Sequence, residues 1–217
     1  MLQINRFYRS IFGVFAILSY LLSTQVTMAQ GRKIAIVRDA EIESLLKDYA
    51  APIFRAAGLQ SKGIEIVLVN DNNFNAFVSG RRVFINTGAI MQSATPNEII
   101  GVIAHEAGHL AGNHQERLRA QLDASKTLAI VGMLLGAGAL VAGSTSNSSG
   151  ASSTGGAIIA AAPSLATRSL LNYKRGEEIN ADTAALKYLN KTKQSANGML
   201  KTFDRFAQQL ALAGVRP

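Results

Sequence analysis

The sequence predicts a mostly helical α+β domain, and three observations carry that expectation. Long stretches repeat apolar residues at helical spacing. Two short β-branched runs are bounded by turn-forming residues. The chain, at 217 residues, is long enough to bury one sizeable core. It contains no cysteine, which removes thiolate metal ligands and disulfides from consideration. Its formal charge of +8 favours anionic membrane surfaces or acidic partners. There is no aromatic-and-basic patch and no tryptophan, so nucleic acid is set aside as a partner.

The elements follow in order. Arg6 and Arg9 precede an apolar run from Ile11 to Leu22, and Thr27-Met28-Ala29 offers small residues where a signal peptidase cuts. Residues 1–29 therefore read as a secretory signal peptide, and residues 30–217 as the mature domain. A retained membrane anchor is the alternative, but the run is short for a span of about 20 residues. Asp39 to Ala57 reads as a helix, with Ile42, Leu45, Leu46, Tyr49, Ile53 and Phe54 at helical spacing. Gly58 stops it, and Pro52 marks a kink or a break. Ile64 to Val69 reads as a strand closed by Asn70-Asp71-Asn72-Asn73, and Arg82 to Asn86 as a second strand after Gly80.

The most informative element comes next. Thr95-Pro96-Asn97-Glu98 has the form of a helix start: an N-cap threonine, proline at the first helical position, and a capping-box glutamate. The helix it opens is apolar at Ile99, Ile100, Val102 and Ile103 and then carries His105-Glu106-Ala107-Gly108-His109. Histidines four apart share one helix face, so His105 and His109 can reach one metal ion, with Glu106 placed to handle the proton of a metal-bound water. The alternative is a helix whose histidines are merely polar. Buried ionisable groups need a partner, which favours the metal.

A catalytic zinc site usually takes three protein ligands and keeps a position open for water. His114 lies five residues after His109, about 500° further round a continuous helix, and so points away from the shared direction. It is read as capping the helix or lining a cleft. Residues 127–167 carry no charge. Leu128 to Gly143 is apolar, Ser144 to Gly156 is a Ser/Gly/Asn stretch, and Ala157 to Leu165 is apolar again. Two apolar helices joined by a flexible loop are expected, packed over the active-site helix or lying at a membrane surface. Plain core packing and a mobile lid are the alternatives. Glu178 and Asp182 then stand four apart, on one face of a further helix. One of them can close a His₂-carboxylate site while the other holds a histidine by its far nitrogen. On spacing alone they are equally a solvated face. Asn197 to Leu212 reads as a final amphipathic helix with Met199, Leu200, Phe203, Phe206 and Leu210 inward.

These motifs resemble the HtpX-like and CAAX-prenyl-protease-like zinc metallopeptidases, and within them the soluble periplasmic BepA-like branch. The likeness rests on H-E-x-x-H followed, after a long insertion, by Glu178-Ile179-Asn180-Ala181-Asp182. It also rests on Asn75-Ala76-Phe77, on Val83 to Gly88, and on the histidine at 114. It covers roughly residues 35 to 215. The resemblance implies a zincin-like domain with a small β-sheet above the H-E-x-x-H helix and one zinc ion per chain. Its ligands would be His105, His109 and Glu178, with Asp182 orienting a histidine and Glu106 as the base. It implies a periplasmic endopeptidase for unfolded or misassembled proteins, acting in outer-membrane quality control.

In peptidases of this build an edge strand pairs with extended substrate through main-chain hydrogen bonds. Asn75, Ala76, Phe77 and Asn86 are the candidates here, with an ordinary core hairpin as the alternative. Arg175 is a candidate aid to the oxyanion, or simply a solvated arginine. Family members usually continue past the equivalent of Pro217 with a further histidine-bearing segment and helical repeats. By that comparison the chain is expected to be a short member, a truncated gene product or half of a split protein. A chaperone-like client-binding module and an inactive fragment are the competing functions.

Overall fold

The computed structural model describes residues 34–59, 63–145 and 149–214. The account below concerns Ala35 onwards. The signal-peptide reading of residues 1–29 lies outside the described residues.

The elements run β1 (Ile36–Val37), α1 (Ala40–Ala56), β2 (Glu65–Val69), β3 (Ala76–Ser79), β4 (Arg82–Asn86), α2 (Thr87–Gln92), α3 (Pro96–Ala111), α4 (His114–Thr145), α5 (Ser149–Lys191) and α6 (Asn197–Leu212). The fold is the mostly helical α+β class that the sequence predicts. Its four strands form one mixed sheet in the order β1-β2-β4-β3. β2 and β4 pair in parallel, while β3 and β4 form an antiparallel hairpin turned at Gly80, whose φ of +59° suits a glycine.

Alternation assigns the sheet its two faces. Ile66, Leu68, Val83 and Ile85 point into the main core. Val67, Val69 and Phe84 point the other way, where Phe84 stacks on Phe77 at 4.8 Å. α1 covers the core face with Leu46, Ala50, Ile53 and Phe54. Its start is capped by the Asp39 carboxylate, which accepts from the amides of Glu41 and Ile42. Pro52 does not break α1. Burial of Ala50, Ile53 and Phe54 on either side holds the helix against a penalty of about 3 kcal/mol.

α3 packs beneath the same core through Ile99, Ile100, Ile103, Ala104 and Ala107. Thr95 and Pro96 start it as expected, but the capping box does not form. Glu98 is 1% exposed, and its carboxylate accepts from Arg205 Nη2 of α6 at 3.0 Å. Thr95 Oγ1 approaches the other oxygen at 3.4 Å. A buried carboxylate is better matched by a guanidinium than by a backbone amide, so Glu98 ties α6 to α3.

α6 meets α3 by backbone contact. A Cβ on Gly198 would lie 2.2 Å from Asn97 O, and one on Gly101 would lie 3.0 Å from Met199 N. The buried stripe of α6 is consequently Gly198, Met199 and Thr202. Leu200, Phe203, Phe206 and Leu210, expected inward, are exposed because this close approach fixes the helix rotation.

The uncharged segment is not core. α4 and α5 are continuous helices of 32 and 43 residues that pack on each other along their length. A seam of small residues brings them together: a Cβ on Gly136 would lie 2.7 Å from Gly155 O. The apolar side chains turn outward, with Leu134 at 66% and Leu135 at 65% exposure. Helix also replaces most of the expected flexible loop, since α4 ends at Thr145 and α5 begins at Ser149. Among the described residues, α4 is the one helix long and apolar enough to cross a membrane.

A close backbone approach also joins α3 to α5, where a Cβ on Gly108 would lie 2.8 Å from Ala181 O. Gly108→Ala is expected to cost about 1–3 kcal/mol through this overpacking. Gly176→Ala, where nothing lies within 4 Å of the added carbon, should gain roughly 0.5–1 kcal/mol of helix propensity. Denaturant melts of the two variants check the pair, and a neutral Gly108→Ala would contradict the packing argument.

Candidate metal centre

α3 sends its apolar face into the core, which leaves His105, Glu106 and His109 lining a cleft of about 560 Å³. Two side-chain atoms from α3 and one from α5 define the centre of that cleft. His105 Nε2 and His109 Nε2 lie 3.0 Å apart, and Glu178 Oε2 lies 3.4 Å from the first and 3.6 Å from the second. A tetrahedral ion with bonds of about 2.0–2.1 Å holds its ligand atoms roughly 3.3 Å apart. These three atoms therefore fit one zinc ion.

The far nitrogens of the two rings strengthen that fit. His105 Nδ1 lies 2.8 Å from Asp182 Oδ1. A carboxylate only accepts, so a neutral His105 carries its proton on Nδ1 and presents a bare Nε2. His109 Nδ1 lies 2.9 Å from His114 Nδ1, and one of these two nitrogens must donate. When His109 donates, both Nε2 lone pairs face the Glu178 carboxylate. A cation among them relieves their mutual repulsion.

The titration of the metal-free groups reflects the same crowding. Burial alone would lower the His105 pKa, but Glu178, Glu106 and Asp182 overcome it and raise the value. Contacts with His105 and His109 hold the Glu178 carboxyl well below the ordinary carboxylate range, against the effect of burial. Glu106 is pushed up by burial, which outweighs the two histidines, so its carboxyl is a readier proton acceptor than an exposed glutamate.

With that geometry in view, similarity decides the family. The model of Peptidase family M48 matches residues 37–212. The chain belongs to peptidase family M48. A Vibrio cholerae serotype O1 protein named as a candidate beta-barrel assembly-enhancing protease is 25% identical over 183 residues. That match covers 84% of this chain and 36% of the relative's length. M48 peptidases are zinc metalloproteases, and His105, His109 and Glu178 form the group in this M48 chain that could hold the metal.

The structure brings together most of the residues singled out in the sequence. Asn75, Ala76 and Phe77 line the cleft along β3, which is an edge of the sheet. Asn86 does not line it. That residue is buried in β4, where its amide nitrogen donates to Asn73 O at 3.3 Å, so it shapes the approach to β3 from within. Arg175 is exposed and also lies outside the cleft lining, whereas its neighbour Lys174 is part of it.

His114 is the larger surprise. An angle of about 500° holds only for one continuous helix, but α3 ends at Ala111 and Asn113 takes a left-handed φ of 51°. The chain turns back there, and the His114 ring meets His109 edge to face at 5.0 Å. Gly112-Asn113 was the available signal, since such pairs commonly stop helices. Glu177, the acid adjacent to Glu178, is buried with Oε2 3.0 Å from His114 Nε2 and Oε1 3.7 Å from Arg117. His105 and His109 are thus each backed by further side chains, one by an acid and one by a histidine beside an acid.

Zinc titrated calorimetrically into the metal-free protein should bind more weakly as pH falls, with release of protons. The sign follows from the raised His105 pKa, which makes the proton a competitor already above pH 6.5. Asp182→Ala and His114→Phe should each weaken binding about 10–100-fold. Affinity independent of pH between 6 and 8 would contradict the assignment.

Proposed function

We propose that the chain is a zinc-dependent endopeptidase that cuts unfolded proteins. The observation that carries this reading is the convergence of two imidazole nitrogens and one carboxylate oxygen beside a buried glutamate, at the floor of an open cleft. His105, His109 and Glu178 would hold the zinc, which when bound polarises a carbonyl and lowers the pKa of water toward neutrality.

The protein's own groups do the remaining work. Glu106 takes a proton from the attacking water and returns it to the leaving amine, a role suited to a carboxyl whose pKa is raised by burial. Asp182 and His114 hold the imidazoles in the tautomer that presents Nε2. The edge strand β3 binds an extended segment through its backbone, while Met199, Phe203 and Phe206 of α6 offer apolar contact from the other side of the cleft. Such a cleft accepts chain that has lost its fold, because a folded segment cannot present a free strand.

The same reading places the protein in the periplasm, in quality control of outer-membrane proteins. Its support is the leader-like layout of residues 1–29 and the relative named for assembly of β-barrels. It also takes the α4–α5 pair as a membrane contact. Residues 127–167 lack any charge, α4 has a mean hydropathy of 1.9 in its most apolar window, and its leucines face outward.

Two experiments test these statements. The purified chain should degrade unfolded casein in a chelator-sensitive manner. Glu106→Gln should lower the rate at least about a hundredfold at unchanged zinc content. Casein bound but left intact by the zinc-loaded wild type would point instead to a client-binding module. On anionic liposomes the chain should co-sediment, and Leu134→Glu with Leu135→Glu should release it. Equal binding of both proteins would remove the membrane contact.

A further inference from the structure

The hydrogen bonding of β3 shows how much of its edge a substrate can use. Asn86 N donates to Asn75 O at 3.0 Å, and the register then runs Ala76 to Ile85, Phe77 to Phe84, Val78 to Val83 and Ser79 to Arg82. In an antiparallel pair, hydrogen-bonded and non-bonded partners alternate. Asn75, Phe77 and Ser79 therefore direct their amide and carbonyl groups toward β4, and Ala76 and Val78 direct theirs outward to the free edge.

One side chain already occupies part of that edge. Gln115, in the first turn of α4, donates from Nε2 to Val78 O and accepts at Oε1 from Gly80 N at 3.0 Å. Its primary amide bonds one outward acceptor and one outward donor, as the peptide group of an added strand would. Gln115 also lines the cleft. Among the described residues, Ala76 N–H, Ala76 C=O and Val78 N–H carry no other partner.

We propose that Gln115 is a specificity-determining residue that ends the substrate-binding edge at Val78. An extended substrate pairs with Ala76 and with the Val78 amide, and Gln115 excludes it from Val78 O and Gly80 N. The enzyme thus reads a short strand, about three backbone groups long. Segments that would add a longer strand gain nothing from their extra residues on that side. Selectivity of this kind favours brief extended stretches in unfolded chains over the long regular strands of β-sheets. The inference rests on the endopeptidase reading and adds to it a limit on substrate length.

Fluorogenic peptides test it. Two nested series start from the shortest peptide that the zinc-loaded chain cleaves and lengthen it one residue at a time, at the N-terminal end in one series and the C-terminal end in the other. In the wild type, the series that runs toward the β3–β4 turn should reach a plateau. In Gln115→Met, which fills the same space without a polar amide, that series alone should continue to gain. The expected gain is about tenfold in kcat/KM over the plateau, expressed in KM.

Gln115→Glu still accepts from Gly80 N but cannot donate to Val78 O, and should show a smaller gain. Direct binding of the longest peptide, measured by fluorescence anisotropy in a Glu106→Gln background, separates recognition from cutting. A length dependence identical in wild type and both variants would overturn the proposal, as would an equal loss on every peptide, the mark of a purely structural tie. Absence of chelator-sensitive cleavage by the wild type would instead overturn the endopeptidase reading itself.

Discussion

The close approach of α3 and α5 at Gly108 and Ala181 is the constraint on which the site depends. Ala181 lies between Glu178 and Asp182 on α5, so the depth at which it seats against α3 sets the height of both carboxylates. With the backbones in contact, Asp182 reaches His105 Nδ1 at 2.8 Å and Glu178 reaches Nε2 of the same ring at 3.4 Å. One imidazole is thus gripped at both nitrogens from a single helix. A side chain in place of hydrogen at Gly108 would lift α5 away, and metal distances tolerate only a few tenths of an ångström.

Other contacts fix the remaining walls of the cleft in the same manner, by replacing flexible approach with short, specific ones. Buried Glu98 accepts from Arg205, which also stacks 4.5 Å over the Phe74 ring, and Phe74 meets Phe206 edge to face. This chain of contacts connects the start of α3, the approach to β3 and the aromatic side of α6. On the opposite wall, His114, Glu177 and Arg117 join the first turn of α4 to α5. The base of the long apolar hairpin and the back of the metal centre are therefore the same set of side chains. Displacement of the hairpin would be felt directly at His109.

Much of this was legible in advance, and the reasons differ by residue. His105, Glu106 and His109 could be read because helical spacing is local, as could the bounds of β4. Glu178 was distinguished from Asp182 as the ligand by family resemblance, since both acids stand on one helix face and spacing does not separate their roles. His114 lines a cleft and stands outside the ligand group as expected, but its direction was not legible because a turn at Asn113 ends the helix. The inward face expected of Leu200, Phe203, Phe206 and Leu210 was wrong because their helix is rotated by glycine contacts that no periodicity encodes. The uncharged segment was readable as apolar helix, but not as exposed, since hydrophobicity does not say what lies opposite.

The sequence by itself determined the class of chemistry, because a metal-binding pair and its base occupy one helical turn and obey one local rule. It also determined two of the four strands, β2 and β4, and most helices, where propensity and turn residues act over a few positions. Only the tertiary structure decided which distant groups complete the site and which backbone groups remain free. Glu178, Asp182 and His114 take up their roles through the packing of separate helices, and Gln115 reaches β3 only because α4 begins beside it. These are through-space relations between segments far apart in the chain, and their distances are set by contacts such as Gly108 on Ala181.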